Sequence, residues 1–286
     1  MQARCIFLRQ LPHPHGETCR YRSLGAAIGK AIATRAPSFT SCGVAAPQLR
    51  RHEGPVVFLA QVSVDFVAAV RHLKAFLQPS ALDDESLILK TILWEGFSGA
   101  ALRPWAIHAQ KGPMITIVGY AQIDAEQLNK RRALALPSAQ TAISEAIAVG
   151  LPSLSSSERY RFSICMVPTI RITKSEGRRY GERDAFLVKA DTAGKDAGLK
   201  RDDVYRDYLA ERLTGATVEA SRLVKFRLRW FMRSKKDGSL SGKTMPEAVI
   251  DGQLRVGDPA KLIEVIGAGI GRQRAYGCGM LRLQPV

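Results

Sequence analysis

The second half of the chain switches repeatedly between a period of two and the longer helical period. In "RYRFSICMV" (159–167) apolar side chains recur at every other position, the mark of a half-buried strand. "DDVYRDYLAERLTG" (202–215) instead opens on aspartates, spaces Tyr205, Tyr208 and Leu209 along one helical face and stops at Gly215. "KFRLRWFMR" (225–233) returns to alternation. It puts Lys225, Arg227, Arg229 and Arg233 on one face of a strand, without acidic partners in the run, and Phe226, Leu228, Trp230 and Met232 on the other. A turn at "KKDG" leads into a strand at "EAVIDGQLRV". "DPAKLIEVIG" then predicts a helix with Asp258 as N-cap and Pro259 at the first helical position, and "YGCGMLRLQPV" a closing strand. The order strand, helix, two strands, helix, strand, with an added hairpin near its start, is that of the split βαβ, ferredoxin-like unit.

The first half repeats the opening of this pattern. "RCIFLRQL" reads as a strand, "RYRSLGAAIGKAIA" as a helix, and "PVVFLAQVSV" and "MITIVGYAQI" as strands, the latter followed by "DAEQLNKRRA". "DDESLILKTILWEGF" between them is helical and reads as an insertion in a less regular unit of the same kind. The Ser and Pro run "LPSLSSSERY" is linker-like. The expectation is an α+β chain of two tandem ferredoxin-like domains, residues 1–156 and 157–286, the first carrying the helical insertion.

Charge changes the picture more than composition does. The 286 residues carry a formal net charge of +16, with 25 Lys/Arg against 15 Asp/Glu in residues 160–286 alone. Such an excess points to a polyanionic partner, nucleic acid before membrane. No stretch approaches the ~18 uninterrupted apolar residues of a membrane span, and "MQARCIFLRQLPHPHG" lacks a signal-peptide apolar core, so a soluble, cytoplasmic protein is expected. Cys5, Cys19, Cys42, Cys165 and Cys278 are scattered without C-x-x-C spacing, which predicts free thiols and neither zinc nor disulfides.

The stretch "GAGIGRQRAYGCGM" (267–280) resembles a phosphate cradle at first sight. However, Gly267, Gly269 and Gly271 run as G-x-G-x-G, and Arg272 takes the place of the last glycine of a dinucleotide fingerprint. The loop also follows a helix, whose C-terminal end is negative, and no G-K-[ST] follows. No nucleotide cofactor is expected. The sequence leaves two readings of the loop: Gly269 and Gly271 let backbone approach an RNA strand that Arg272 and Arg274 hold, or they serve only the fold as cap and bulge glycines.

"LRVGDPAKLIEVIGAGIGRQRAYGCGMLRL", with "RYRFSICMVPTIRITKSEGRRYGERDAF" and "DVYRDYLAERL" upstream, resembles the CRISPR repeat-RNA processing endoribonucleases of the RAMP superfamily, most closely those of type I-E systems and their type IV relatives. The resemblance covers roughly residues 112–286. It implies an enzyme that binds the stem-loop of the CRISPR repeat, cuts precursor crRNA without a metal by attack of a 2′-OH on the adjacent phosphate, and retains the product. Other CRISPR effector subunits are implied as further partners. A non-catalytic crRNA-binding scaffold of the same superfamily is the alternative.

The resemblance also implies a histidine near the start of the first helix. On "CRYRSLGAAIGKAIATR" that position falls on Tyr21 or a neighbour, with no histidine. Two chemistries stay open. Arg20, Arg22 and Arg35, with Tyr21, would hold the scissile phosphate, or His13 and His15 would move the protons. For the RNA footprint, the cationic hairpin of Lys174, Arg178, Arg179 and Arg183 is expected along one groove of the stem. Lys225, Arg227, Arg229 and Arg233, continuing into Lys235, Lys236 and Lys243, are expected along the other backbone.

Overall fold

In the computed structural model, residues 57–99, 102–172, 181–193, 198–234 and 239–286 are described, all within one compact unit spanning Arg51–Val286. The strand and helix expected in residues 4–33, the "KSEGRR" turn and the "KKDG" turn lie outside the described residues.

The first half runs β1 (Phe58–Asp65), α1 (Phe66–Leu73), α2 (Glu85–Gly96), β2 (Trp105–Lys111), β3 (Met114–Ala121), α3 (Ala125–Arg132), α4 (Pro137–Ala142) and β4 (Ile147–Val149). Its four strands pair antiparallel in the order β2-β3-β1-β4. The second half runs β5 (Arg159–Met166), β6 (Thr169–Ile172), β7 (Gly181–Asp184), α5 (Ala185–Ala193), α6 (Arg201–Ala210), β8 (Ala216–Ser234), β9 (Leu240–Val256), α7 (Pro259–Ala268) and β10 (Leu281–Pro285), with sheet order β10-β5-β9-β8. β6 and β7 form the added hairpin. Both sheets show the ferredoxin-like order, in which the first and third strands of the unit are central.

The four strands of the first such unit lie within residues 58–149, and the helix read from "DDESLILKTILWEGF" is α2, the second helix in the crossover between β1 and β2. The reason is in its composition. Ile88, Leu89, Ile92 and Leu93 pack into the first unit's core, while Leu87 joins Phe231, Met245, Tyr276 and Cys278 of the second. A helix apolar on both sides has two neighbours to satisfy. Asp84 caps it, accepting from the Ser86 and Leu87 amides on one oxygen at 3.0 and 3.2 Å, and uses its other oxygen to accept from the Met232 amide of β8 at 3.1 Å.

The two halves are joined through a shared core. Val118 and Tyr120 of β3 are buried with Phe162, Ile164, Leu254 and Ile266 of the second unit, and the Tyr120 hydroxyl donates to the Leu281 carbonyl at 2.8 Å. Burial raises the Tyr120 phenol above its ordinary pKa, so it stays a donor. The expected cap on α7 is present: Asp258 accepts from the Ala260 and Lys261 amides at 3.1 and 3.2 Å, with Pro259 at the first helical position. No helix among the described residues is long and apolar enough to cross a membrane.

Candidate nucleic-acid interface

The glycine loop leaves α7 through Gly269, whose φ of +75° favours glycine, and passes Gly271, Gly277 and Gly279, all with positive φ. Its glycines are consumed by the protein itself. A Cβ at Gly277 would lie 2.8 Å from the Trp105 ring, at Gly269 2.8 Å from Pro104, and at Gly279 2.5 Å from the Ile270 carbonyl oxygen. The Trp105 indole donates to the Ala275 carbonyl at 3.0 Å, and the Gly279 amide to the Cys165 carbonyl at 2.6 Å. The close approach that the sequence signalled is thus made by the first unit's β2 and the loop's own turns.

The two arginines of the loop have specific duties. Arg274 donates to the Ala268 carbonyl, supplying positive charge to the C-terminus of α7. Burial, with the like charges of Arg103 and Arg272, lowers its pKa below the ordinary guanidinium value. Arg272 pairs with Glu182 of β7 at 3.1 Å, and Lys243 donates to the Glu182 carbonyl at 2.8 Å. Loop, β9 arm and added hairpin therefore meet at one residue.

The hairpin is anchored from below by buried Asp184. Arg201 donates to Asp184 at 2.6 Å and to the Tyr205 hydroxyl at 2.6 Å, and Tyr205 donates to Asp184 at 2.8 Å. The Arg201 guanidinium lies between the Phe186 and Phe226 rings, 4.2 and 4.1 Å from their centroids. Of the expected hairpin cations, Arg183 is described, and it pairs with Asp191 at 2.7 Å. Lys174, Arg178 and Arg179 lie outside the described residues, as do Lys235 and Lys236.

On β8 the alternation is as expected, but its environment differs from the sequence reading in two ways. First, the cationic face does have an acidic partner: buried Glu247 of β9 accepts from Arg227 at 2.5 Å and Arg229 at 2.6 Å. Burial pushes the Glu247 carboxyl up, and the hydrogen bonds and charges of the two guanidinium groups outweigh it and hold the group below the usual carboxylate range. Second, the apolar face is the exposed one at Phe226, Leu228 and Trp230. The long β8–β9 arm extends past the helices that would cover it. Lys225 and Arg233 are exposed and have no ion pair among the described residues.

Cys165, Glu247 and Cys278 bring one ligand atom each within 4.8 Å of one another, the one such trio among the described residues. Glu247 is engaged with two arginines, and the hydrogen bond to Cys165, together with burial, pushes the Cys278 thiol up. This is the chemistry of a thiol pair beside an ion-pair clamp.

One pair escaped the sequence reading. Lys90, half-buried on α2, donates to the Tyr276 hydroxyl of the glycine loop at 3.3 Å and lies 4.8 Å from its ring centroid. A cavity of about 220 Å³ adjoins this junction, lined by Ser86, Trp105, Arg227, Arg229, Glu247 and Tyr276 among others. The only sequence signal was a single lysine inside the apolar run "SLILKTILW". His13, His15, Arg20, Tyr21, Arg22 and Arg35 lie outside the described residues.

The family model described as CRISPR associated protein matches residues 79–285, which includes the whole second sheet, three of the four strands of the first and the glycine loop. The chain belongs to this CRISPR-associated family. Among solved structures, Cas6e from Escherichia coli str. K-12 is similar at 16% identity, with 80% of this chain and 100% of that chain covered and a TM-score of 0.52. A CRISPR endoribonuclease Cse3 bound to a 19 nt RNA is similar at 16% identity over 80% of this chain and 100% of its own, with a TM-score of 0.50. At such identities the likeness establishes the fold of this CRISPR-associated chain. No curated protein sequence matches it.

Proposed function

We propose that the chain is an endoribonuclease that binds the stem-loop of a CRISPR repeat and cuts precursor crRNA without a metal, keeping hold of the product and handing it to other effector subunits. Family membership and the fold shared with Cas6e and with an RNA-bound Cse3 endoribonuclease support this reading. The observation that carries it is the seam between the two units, where rigid α2 holds Lys90 against Tyr276 beside the Arg227–Glu247–Arg229 clamp.

In the proposed reaction the 2′ oxygen bonds to the adjacent phosphorus while the bond from phosphorus to the 5′ oxygen breaks, leaving a 2′,3′-cyclic phosphate and a 5′-OH. The 2′ proton passes to a base, and a proton is delivered to the departing 5′ oxygen. The Lys90 ammonium is placed to stabilise charge on the phosphorane or to protonate the leaving oxygen. Two chemistries remain as alternatives: Arg20, Arg22 and Arg35, with Tyr21, would hold the scissile phosphate and stabilise its added charge, or His13 or His15 would do the proton work.

Incubating repeat RNA with the protein in EDTA tests the reading: one cut inside the repeat is expected. Intact, bound RNA would instead support a crRNA-binding scaffold. Arg22→Ala is expected to slow cleavage at least about tenfold with much less change in hairpin affinity, while His13→Ala and His15→Ala decide where the proton goes.

A further inference from the structure

The second sheet has its helices on one face only. On the opposite face the order β10-β5-β9-β8 sets out a row of side chains: Arg282 from β10, Arg161 and Ser163 from β5, Asp251 and Gln253 from β9, and Arg222 from β8. His108 of β2 stands over this row. Together they line a cavity of about 710 Å³, within the range of sites that hold a small ligand.

Two observations mark it as a built site. Nine arginines of the second unit are ion-paired to carboxylates, yet Arg161 and Arg222 have no ion pair among the described residues, and Arg282 bonds only the Ser163 hydroxyl, at 3.1 Å. Against these three guanidinium groups the row sets the one carboxylate of Asp251, which leaves an excess of positive charge for an anion to neutralise. His108 is the extra residue of a β-bulge, since the β2–β3 register slips between Ile107 and Ala109; such bulges re-aim a side chain.

We infer that this cleft binds a short unpaired stretch of RNA, its phosphates on Arg161, Arg222 and Arg282, one base stacked on His108, and base edges met by Asp251, Gln253 and Ser163. Guanidinium groups suit phosphates, and the mix of a carboxylate, an amide and a hydroxyl suits the donors and acceptors of an unstacked base. In deepening the proposed function, the inference rests on it only for the identity of the RNA, namely the unpaired flank of the repeat stem.

The experiment is fluorescence anisotropy of the full chain with a labelled, unstructured octaribonucleotide, and with a repeat stem-loop carrying or lacking its single-stranded flanks. Replacing Arg161 and Arg222 together by alanine should weaken octamer binding at least about tenfold and reduce the salt slope by about 1.4, as expected for two lost phosphate contacts on single strands. His108→Ala should cost about fivefold or more, and Arg222→Lys should retain part of the affinity. The double variant should lose at least about fivefold more affinity for the flanked stem-loop than for the bare one. Unchanged octamer affinity, equal losses on both stem-loops, or displacement by polyglutamate of a chain that ignores the octamer would overturn the inference. Octamer binding by a wild-type chain that leaves every stem-loop intact would instead sink the nuclease reading and spare this one.

Discussion

The ammonium of Lys90 lies 3.3 Å from the hydroxyl of Tyr276, on elements 186 residues apart in sequence. Tyr276 is buried against Phe231 of its own unit, and the contact ties the α2 helix to the glycine loop. Lys90→Ala is expected to slow cleavage of repeat RNA by about a hundredfold, the scale of a lost charge-stabilising donor, with hairpin affinity changing less than about threefold. Lys90→Arg should recover part of the rate. Single-turnover kinetics and anisotropy on the same RNA separate the two quantities, and parallel losses would assign Lys90 to binding.

Glu247 gives a pH signature. Its carboxylate is held below the ordinary value of 4.5 by Arg227 and Arg229, so the unfolded chain binds the proton more tightly. The stability it contributes is full above the unfolded value and is lost as pH falls through the lower folded one. Glu247→Gln should destabilise the protein by on the order of 3 kcal/mol near neutrality, since it leaves two guanidinium groups without their partner. The gap between the two denaturation midpoints should narrow below the folded titration. A gap independent of pH would contradict the clamp.

Gly279 distinguishes a structural loop from an RNA-approach loop. With φ at +81° and a would-be Cβ 2.5 Å from the Ile270 oxygen, Gly279→Ala should cost about 2 kcal/mol or more in urea unfolding without RNA present. Gly150, with nothing within 4 Å, should tolerate alanine within about 0.5 kcal/mol. A stable Gly279→Ala chain that fails only in RNA binding would return the loop to the role first read from its sequence.

Binding to the repeat stem-loop should be steeply salt-dependent. With six or more phosphates contacted, affinity should fall by about 10³ between 50 and 200 mM salt. A shallow slope would show that the exposed cations, Lys225 and Arg233 among them, do not meet the backbone.

What the sequence made legible follows from local physics. Alternation identified the β8 faces, and Asp258 with Pro259 marked the start of α7, because strand period and helix capping are set within a few residues. Which β8 face is solvated was not legible: that depends on the arm outrunning α6 and α7. Glu247 was hidden for a related reason, since its pairing with Arg227 and Arg229 depends on the β8–β9 register. The apolar run of α2 announced a helix, but only its two packing partners explain why both faces are apolar. The glycine loop was seen, whereas its protein neighbour was not, because positive φ and close approach look alike whether the neighbour is a ribose or Trp105. His108 gave no signal at all, as a bulge is a property of two strands.

The buried Tyr120 phenol, bonded across the boundary to the Leu281 carbonyl, has a mechanical consequence. Swinging one sheet away from the other would strand a polar group in hydrocarbon, a cost that holds the two halves together. In the proposed reaction, the bending that brings the 2′ oxygen into line with the scissile bond then falls to the nucleic acid.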